Sequence, residues 1–271
     1  MESKIASSIG LKTHSVAIVW ADDAPQGAAQ FKPGSWGCVM GLMAAAAAKG
    51  RTSVFDRQTY GCWGGGVGLG FGNQYDSFPG GLEGFYGFLS DGNERSEAGR
   101  QIGQGLAQAG ASQLAGDFLL GERYVKNCGC TKSFVQSLPI RDIPARYVIA
   151  KPLEETDPQQ DRVKSVTLFV EPDALSALVI LANYAHPERE NVAIPWGAAC
   201  QVLGILAYQE LEREHPRALV GLTDISARKS VRAALGKNVL SFTAPWPMFL
   251  EMEEHVEGSF LQRETWRSLQ G

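Results

Sequence analysis

The sequence has few histidines, no long apolar run and no surplus of basic charge, and each shortage excludes something. Only four of the 271 residues are histidine. Neither H-E-x-x-H nor G-x-S-x-G occurs, so the familiar zinc-protease and serine-hydrolase constellations are missing. His186 and His215 each precede a proline at an expected helix end, where they serve terminal carbonyls better than a metal; His14 and His255 are isolated. The longest nearly apolar runs, Val39–Ala48 and Ala174–Ala182, fall well short of the roughly 20 residues of a membrane span. The N-terminal segment has no apolar core of the signal-peptide kind, so the expectation is a cytoplasmic protein with reduced thiols. With 25 basic against 29 acidic residues, net −4, no basic stripe is present for a nucleic-acid backbone. Five cysteines, an odd number without a Cys-x-x-Cys pair, do not suggest a disulfide framework.

What remains is an ordinary globular composition, 44 % hydrophobic and 20 % charged, in a chain long enough to bury a substantial core without staples. Glycine is the abundant residue. Of 31 in all, 12 lie in the 32 residues from Gly61 to Gly92, centred on Gly61-Cys62-Trp63-Gly64-Gly65-Gly66-Val67-Gly68-Leu69-Gly70. The run is neither a Walker loop nor, by its spacing, a dinucleotide fingerprint. It reads as a glycine-rich loop whose amides can converge on an anion. Phe71, Tyr75, Phe78, Phe85, Tyr86 and Phe88 follow it as walls for an apolar pocket or as core.

Two stretches resemble each other. Ser15-Val16-Ala17-Ile18-Val19-Trp20 and Ser165-Val166-Thr167-Leu168-Phe169-Val170 are short apolar runs, each followed by an acidic turn. Further on, Trp36-Gly37-Cys38-Val39 resembles Trp196-Gly197-Ala198-Ala199, each ahead of an expected helix. This reads as an internal duplication. Strands are expected at 16–20, 52–55, 145–151, 163–170, 217–222 and 239–243. Helices are expected at 38–49, 96–120, 173–184, 198–214 and 226–234, with 122–143 as loop and turn. The alternation gives an α/β or α+β fold of two related strand–helix units packed as one compact domain: residues 1–92 with the glycine-rich loop, a connector over 93–158, and 159–271 with a C-terminal helix.

The Val16–Val19 strand, Cys38 opening an alanine-rich helix, and Cys62-Trp63-Gly64-Gly65 entering a Gly-Leu-Gly-Phe run resemble the domain of unknown function 169 family. Phe169-Val170-Glu171-Pro172-Asp173-Ala174-Leu175 and Ser226-Ala227-Arg228 extend the resemblance over nearly the whole chain. It implies a coherent fold and no established activity. Cys128-Gly129-Cys130 has no evident place in that pattern.

The candidate chemistry is sulfur. Cys38 opens a helix, where the dipole favours the thiolate. Cys62 sits at the mouth of the glycine run, within reach of backbone donors. Cys128 and Cys130 are possible third and fourth ligands if Gly129 lets both sulfurs face one way, and four thiolates suffice for an iron–sulfur cluster or zinc. Cys200 reads as a buried helix residue. The leading expectation is a metal or redox cofactor bound by Cys38, Cys62, Cys128 and Cys130, with Gly64, Gly65 and Gly66 donating amides. The alternatives are a metal-free binder or sensor of a small anion, held by those glycines and Arg228, and a cysteine-dependent enzyme. The expected partner is thus a small molecule or metal, with neither nucleic acid nor membrane.

Overall fold

Seven strands form one sheet in the order β2-β3-β1-β4-β7-β6-β5. They are β1 (Val16–Ala21), β2 (Ser53–Phe55), β3 (Tyr147–Pro152), β4 (Arg162–Val170), β5 (Val192–Ala193), β6 (Ala218–Gly221) and β7 (Leu240–Pro245). The structure, a computed structural model, describes residues 1–270. Every pairing is antiparallel except β5–β6. The class is mixed α/β, as the alternation of elements implies.

The sheet has a two-fold arrangement. Outward from the antiparallel β1–β4 pair, the order is β1, β3, β2 on one side and β4, β7, β6 on the other. Setting aside the two-residue edge strand β5, the first strand of each half is central, the last lies next to it and the intervening one lies outside. The matching sequence stretches occupy matching places: β1 and β4 are the central pair. Trp36-Gly37-Cys38 leads into α2 (Val39–Lys49), and Trp196-Gly197-Ala198 leads into α9 (Ala199–Gln201). The likeness in sequence is therefore also a likeness in position.

Both faces of the sheet are covered, which is why β1 and β4 do not alternate cleanly between apolar and polar residues. Ala17, Val19, Val166, Leu168, Phe242 and Ala244 pack with Ile5 of α1 (Lys4–Ser8), Leu178 of α8 (Pro172–Ala182), Met248 of α12 (Trp246–Glu254) and Trp266 of α13 (Glu264–Gln270). On the other face, α2 meets β1, β2 and β3. A π-helical segment, Val202–Leu206, and α10 (Ala207–Glu210) meet β4 and β6. Ser165 Oγ on β4 donates to the Leu203 carbonyl of that segment at 3.0 Å.

The glycine run is a helix, not a loop. Residues Trp63–Leu69 form α3, with Gly61 and Gly70 in left-handed conformations just outside it. Glycine is a poor helix former, and tertiary contact overrides propensity here. A Cβ on Gly68 would lie 2.7 Å from the Cys200 carbonyl carbon, and one on Gly204 would lie 1.9 Å from the Gly68 carbonyl oxygen. The missing Cβ atoms let two helix backbones touch. In the sequence reading the glycines supplied positive φ; in the fold the central ones supply close approach.

A second compact unit comprises Gly72–Ile140, the first being Met1–Phe71 with the chain from Arg141 onward. This inserted unit begins earlier than the connector expected over 93–158. It contains α4 (Gly81–Leu89), α5 (Glu97–Gln108), α6 (Ser112–Leu120) and α7 (Cys128–Ser137). Two expectations are corrected within it. The helix expected over 96–120 is broken between α5 and α6, where Gly110 takes φ +82°. The segment 122–143, expected as loop, contains α7, started by Asn127 Oδ1 accepting the Cys130 amide at 2.9 Å. Tyr75, Phe78, Phe85 and Tyr86 are buried with Phe118; Tyr75 and Phe85 stack with centroids 3.8 Å apart. These aromatics are core.

The close approach makes a prediction. Gly204→Ala should destabilise the protein by about 1–3 kcal/mol or more, because backbone must move. Gly105→Ala or Gly116→Ala, at helical positions with nothing within 4 Å, should be neutral or stabilising by up to about 1 kcal/mol. Denaturant melts of the three variants check this; equal effects would contradict the account of the glycines.

Candidate functional site

The site grows from two helix starts in the first half of the chain. Cys38 is the N-cap of α2, and its side chain makes no capping bond. Cys62 is the N-cap of α3, and its Sγ accepts the Gly65 amide at 3.3 Å. The Val39 amide is also directed at this sulfur. Val39 directly follows Cys38, so the Cys62 sulfur feels the start of the helix that Cys38 opens. The Cys38 sulfur lies close enough to Cys62 to act on its thiol electrostatically. Both are partly buried and free of any disulfide.

Burial, and then the neighbouring Cys38 sulfur, push the Cys62 thiol up to about 11, against the pull of the backbone amides. Cys62 on its own is therefore protonated at neutral pH. The expected effect of the glycine run is present, since the Gly65 amide favours the thiolate, but desolvation outweighs it.

The second half supplies a thiol and a carboxylate that the sequence reading did not assign to the site. Cys200, in α9, donates its S–H to the Gly64 carbonyl at 3.2 Å. Burial first, then Cys62, Cys38 and Asp224, hold this thiol well above its ordinary value. Asp224 caps α11 (Ile225–Leu235): Oδ1 accepts the Ala227 amide and Oδ2 the Ala199 amide, both at 2.6 Å. Burial raises this carboxyl, although the two amides favour its charged form.

Asp224 and Cys62 hold equivalent places. Each caps its own helix, through Ala227 or Gly65; Asp224 also takes the first amide of a neighbouring helix, Ala199, and Cys62 feels the Val39 amide at the start of α2. The helices pair accordingly, α3 against α9 and α2 against α11. The signal for Asp224 was in the sequence: Trp196-Gly197-Ala198 aligns with Trp36-Gly37-Cys38, which leaves a second capping side chain to be found. Trp36 and Trp196, each two residues ahead of a cap, are both exposed.

Other candidates lie differently. The Gly65 amide is taken by Cys62 Sγ and the Gly66 amide by the Cys62 carbonyl at 2.9 Å, so Gly64, Gly65 and Gly66 do not form an open anion nest. Arg228 donates to the carbonyls of Leu222 at 3.3 Å, Val239 at 2.9 Å and Lys237 at 2.6 Å; it fastens the loops flanking α11. Cys128 and Cys130 belong to the inserted unit. Two residues apart on α7, their side chains point to different sides of the helix: Cys128 lies near Ser90 and Asp91, whereas Cys130 is exposed. The helix removes the chelating turn expected there. Among the described residues no three His, Cys, Asp or Glu side chains are arranged to hold a metal ion. Nor, among them, is any helix long and apolar enough to cross a membrane.

The chain belongs to the domain of unknown function 169 family, described as uncharacterised ArCR, whose family model matches residues 4–255. No curated protein and no solved structure gives a significant match.

The double cap makes a prediction. Asp224→Ala leaves the Ala199 and Ala227 amides without acceptors and should cost about 1–3 kcal/mol. Asp224→Asn, which keeps one acceptor oxygen, should cost less. Urea unfolding distinguishes the two; equal stabilities would contradict the bridging role.

Proposed function

We propose that the protein binds a thiophilic metal ion or metal-bearing redox cofactor through Cys38 and Cys62. The observation that supports this is the setting of the Cys62 sulfur, which accepts the Gly65 amide at 3.3 Å and faces the Val39 amide beside Cys38. Amide donors aimed at sulfur favour a thiolate, and such bonds tune metal–thiolate centres. The Cys62 thiol keeps its proton because it is buried. A bound cation supplies the missing positive charge and displaces that proton. The two features together suit a sulfur that is charged only when a metal is present.

The other readings have less support. An anion nest needs free amides, and two of the three glycines of the proposed nest have theirs bonded. A nucleophilic thiol needs a base. His14 is paired with Glu154 and lies beside Gly50 at the C-terminal end of α2, the opposite end from Cys38, and His186 is paired with Glu251. A four-thiolate cluster would need Cys128 and Cys130, which the α7 geometry turns apart.

Anaerobic purification and elemental analysis test the reading. The wild-type chain, loaded with thiophilic metal ions, should retain about one per chain after desalting; Cys38→Ser/Cys62→Ser should retain none. Cys128→Ser/Cys130→Ser should behave as wild type. Equal retention in the Cys38/Cys62 variant, or loss in the Cys128/Cys130 variant, would overturn it.

A further inference from the structure

The helical layer over one face of the sheet carries exposed apolar side chains together with charge of one sign. Among the described residues, Trp36 is 63 % exposed, Trp196 46 % and Ile225 66 %. They stand at the starts of α2, α9 and α11. Contacts between these starts bring the three together. Asp224, directly before Ile225, takes the Ala199 amide at 2.6 Å, and Ala199 lies three residues after Trp196. Cys200 donates to the Gly64 carbonyl at 3.2 Å. A Cβ on the next residue, Gly65, would lie 2.3 Å from Val39 Cγ2, and Val39 lies three residues after Trp36. Helices α2 and α11 also pack side by side.

Local structure holds these side chains out. The Phe31 ring packs on the backbones of Gly37 and Gly61, where a Cβ would stand 2.4 Å and 2.7 Å from its edge. Phe31 thus anchors the loop, and Trp36 is left to solvent. On α11 the buried residues are Ala227 and Val231. Ile225, Lys229 and Arg232, spaced i, i+4, i+7, form the opposite stripe. Lys229, Arg232 and Lys32 of the Trp36 loop are exposed. No acidic residue occurs from Ala24 to Phe55, from Asn191 to Gln209 or from Ile225 to Leu250, the three stretches that build the patch, although the whole chain has net charge −4.

The charge selects the occupant. A second copy meeting this patch with its own would set like charges against each other. A nucleic acid would use the indoles for stacking, but the aliphatic Ile225 tip gains nothing from a base. Apolar tips on three separate segments, with basic side chains beside them and no carboxylate to select a partner, match a fluid anionic surface. We propose that the patch docks the protein on an anionic lipid surface. Trp36, Trp196 and Ile225 enter the headgroup region, and Lys32, Lys229 and Arg232 meet the lipid charges. No helix among the described residues is long and apolar enough to cross a membrane, so the contact is peripheral. The proposal is independent of the thiol-site reading.

Flotation of the full chain with phosphatidylcholine vesicles, with and without about 30 % phosphatidylserine, tests it. The chain should bind the anionic vesicles at least about tenfold more tightly than the neutral ones, and the binding should weaken as salt rises. Trp36→Ala/Trp196→Ala and Lys229→Glu/Arg232→Glu should each lower binding by more than about tenfold with unchanged thermal melts. Acyl-chain-brominated anionic lipid should quench tryptophan emission of the wild-type chain, a readout that stands even if a variant fails to fold. Absence of binding to anionic vesicles at low salt, or binding that both variants leave unchanged, would overturn the proposal. So would self-association or oligonucleotide binding that the same substitutions abolish in a chain that ignores vesicles.

Discussion

The site depends on how closely α3 approaches the segment that begins at Ala199. A Cβ at Gly204 would stand 1.9 Å from the Gly68 carbonyl oxygen, so the backbones meet with no side chain between them. That contact brings Gly64 within hydrogen-bond reach of Cys200. It also sets the start of α9, where Asp224 takes the Ala199 amide. A helix of four glycines in seven residues has little intrinsic stability. Its existence is the consequence of this packing, and so is the position of Cys62 at its first turn.

The two-fold arrangement of the sheet explains why two helix starts come together in each half. Strands β1 and β4 run side by side in opposite directions, and α2 lies on the same face as the helical segment from Ala199 to Glu210, which follows β4 after α8. Four helix starts then require caps. In the second half the cap is a carboxylate, Asp224, which satisfies two amides with two oxygens. In the first half the equivalent cap is a thiol, Cys62, a much weaker acceptor. A capping role alone is served better by aspartate, as the second half demonstrates. A sulfur in that place, next to a second sulfur at Cys38 that makes no capping bond, is better suited to chemistry than to capping.

Much of the fold was legible in the sequence, because the strands are strongly apolar and α2 is alanine-rich. The likeness of the Trp-Gly stretches marked two helix starts, at Val39 and at Ala199, and Cys38 was legible as the start of a helix. The glycine run was not legible, because glycine serves both positive φ and close approach, and only the partner backbone decides between them. The partner is about 130 residues away in sequence, at Cys200 and Gly204. Segment Cys128–Ser137 was hidden by Gly129, yet Asn127 caps it as a helix. Cys200 and Asp224 were missed because their importance arises from neighbours in the other half of the chain.

The central claim is that Cys38 and Cys62 form one site. A trivalent arsenical such as phenylarsine oxide tests it directly, since it bridges two thiols with loss of one water only when both sulfurs reach one arsenic atom. Peptide mapping by mass spectrometry under reducing, anaerobic conditions should find a single arsenic bridging the Cys38 and Cys62 peptides. Failure to bridge that pair in the folded chain, with both thiols reduced, would contradict the account.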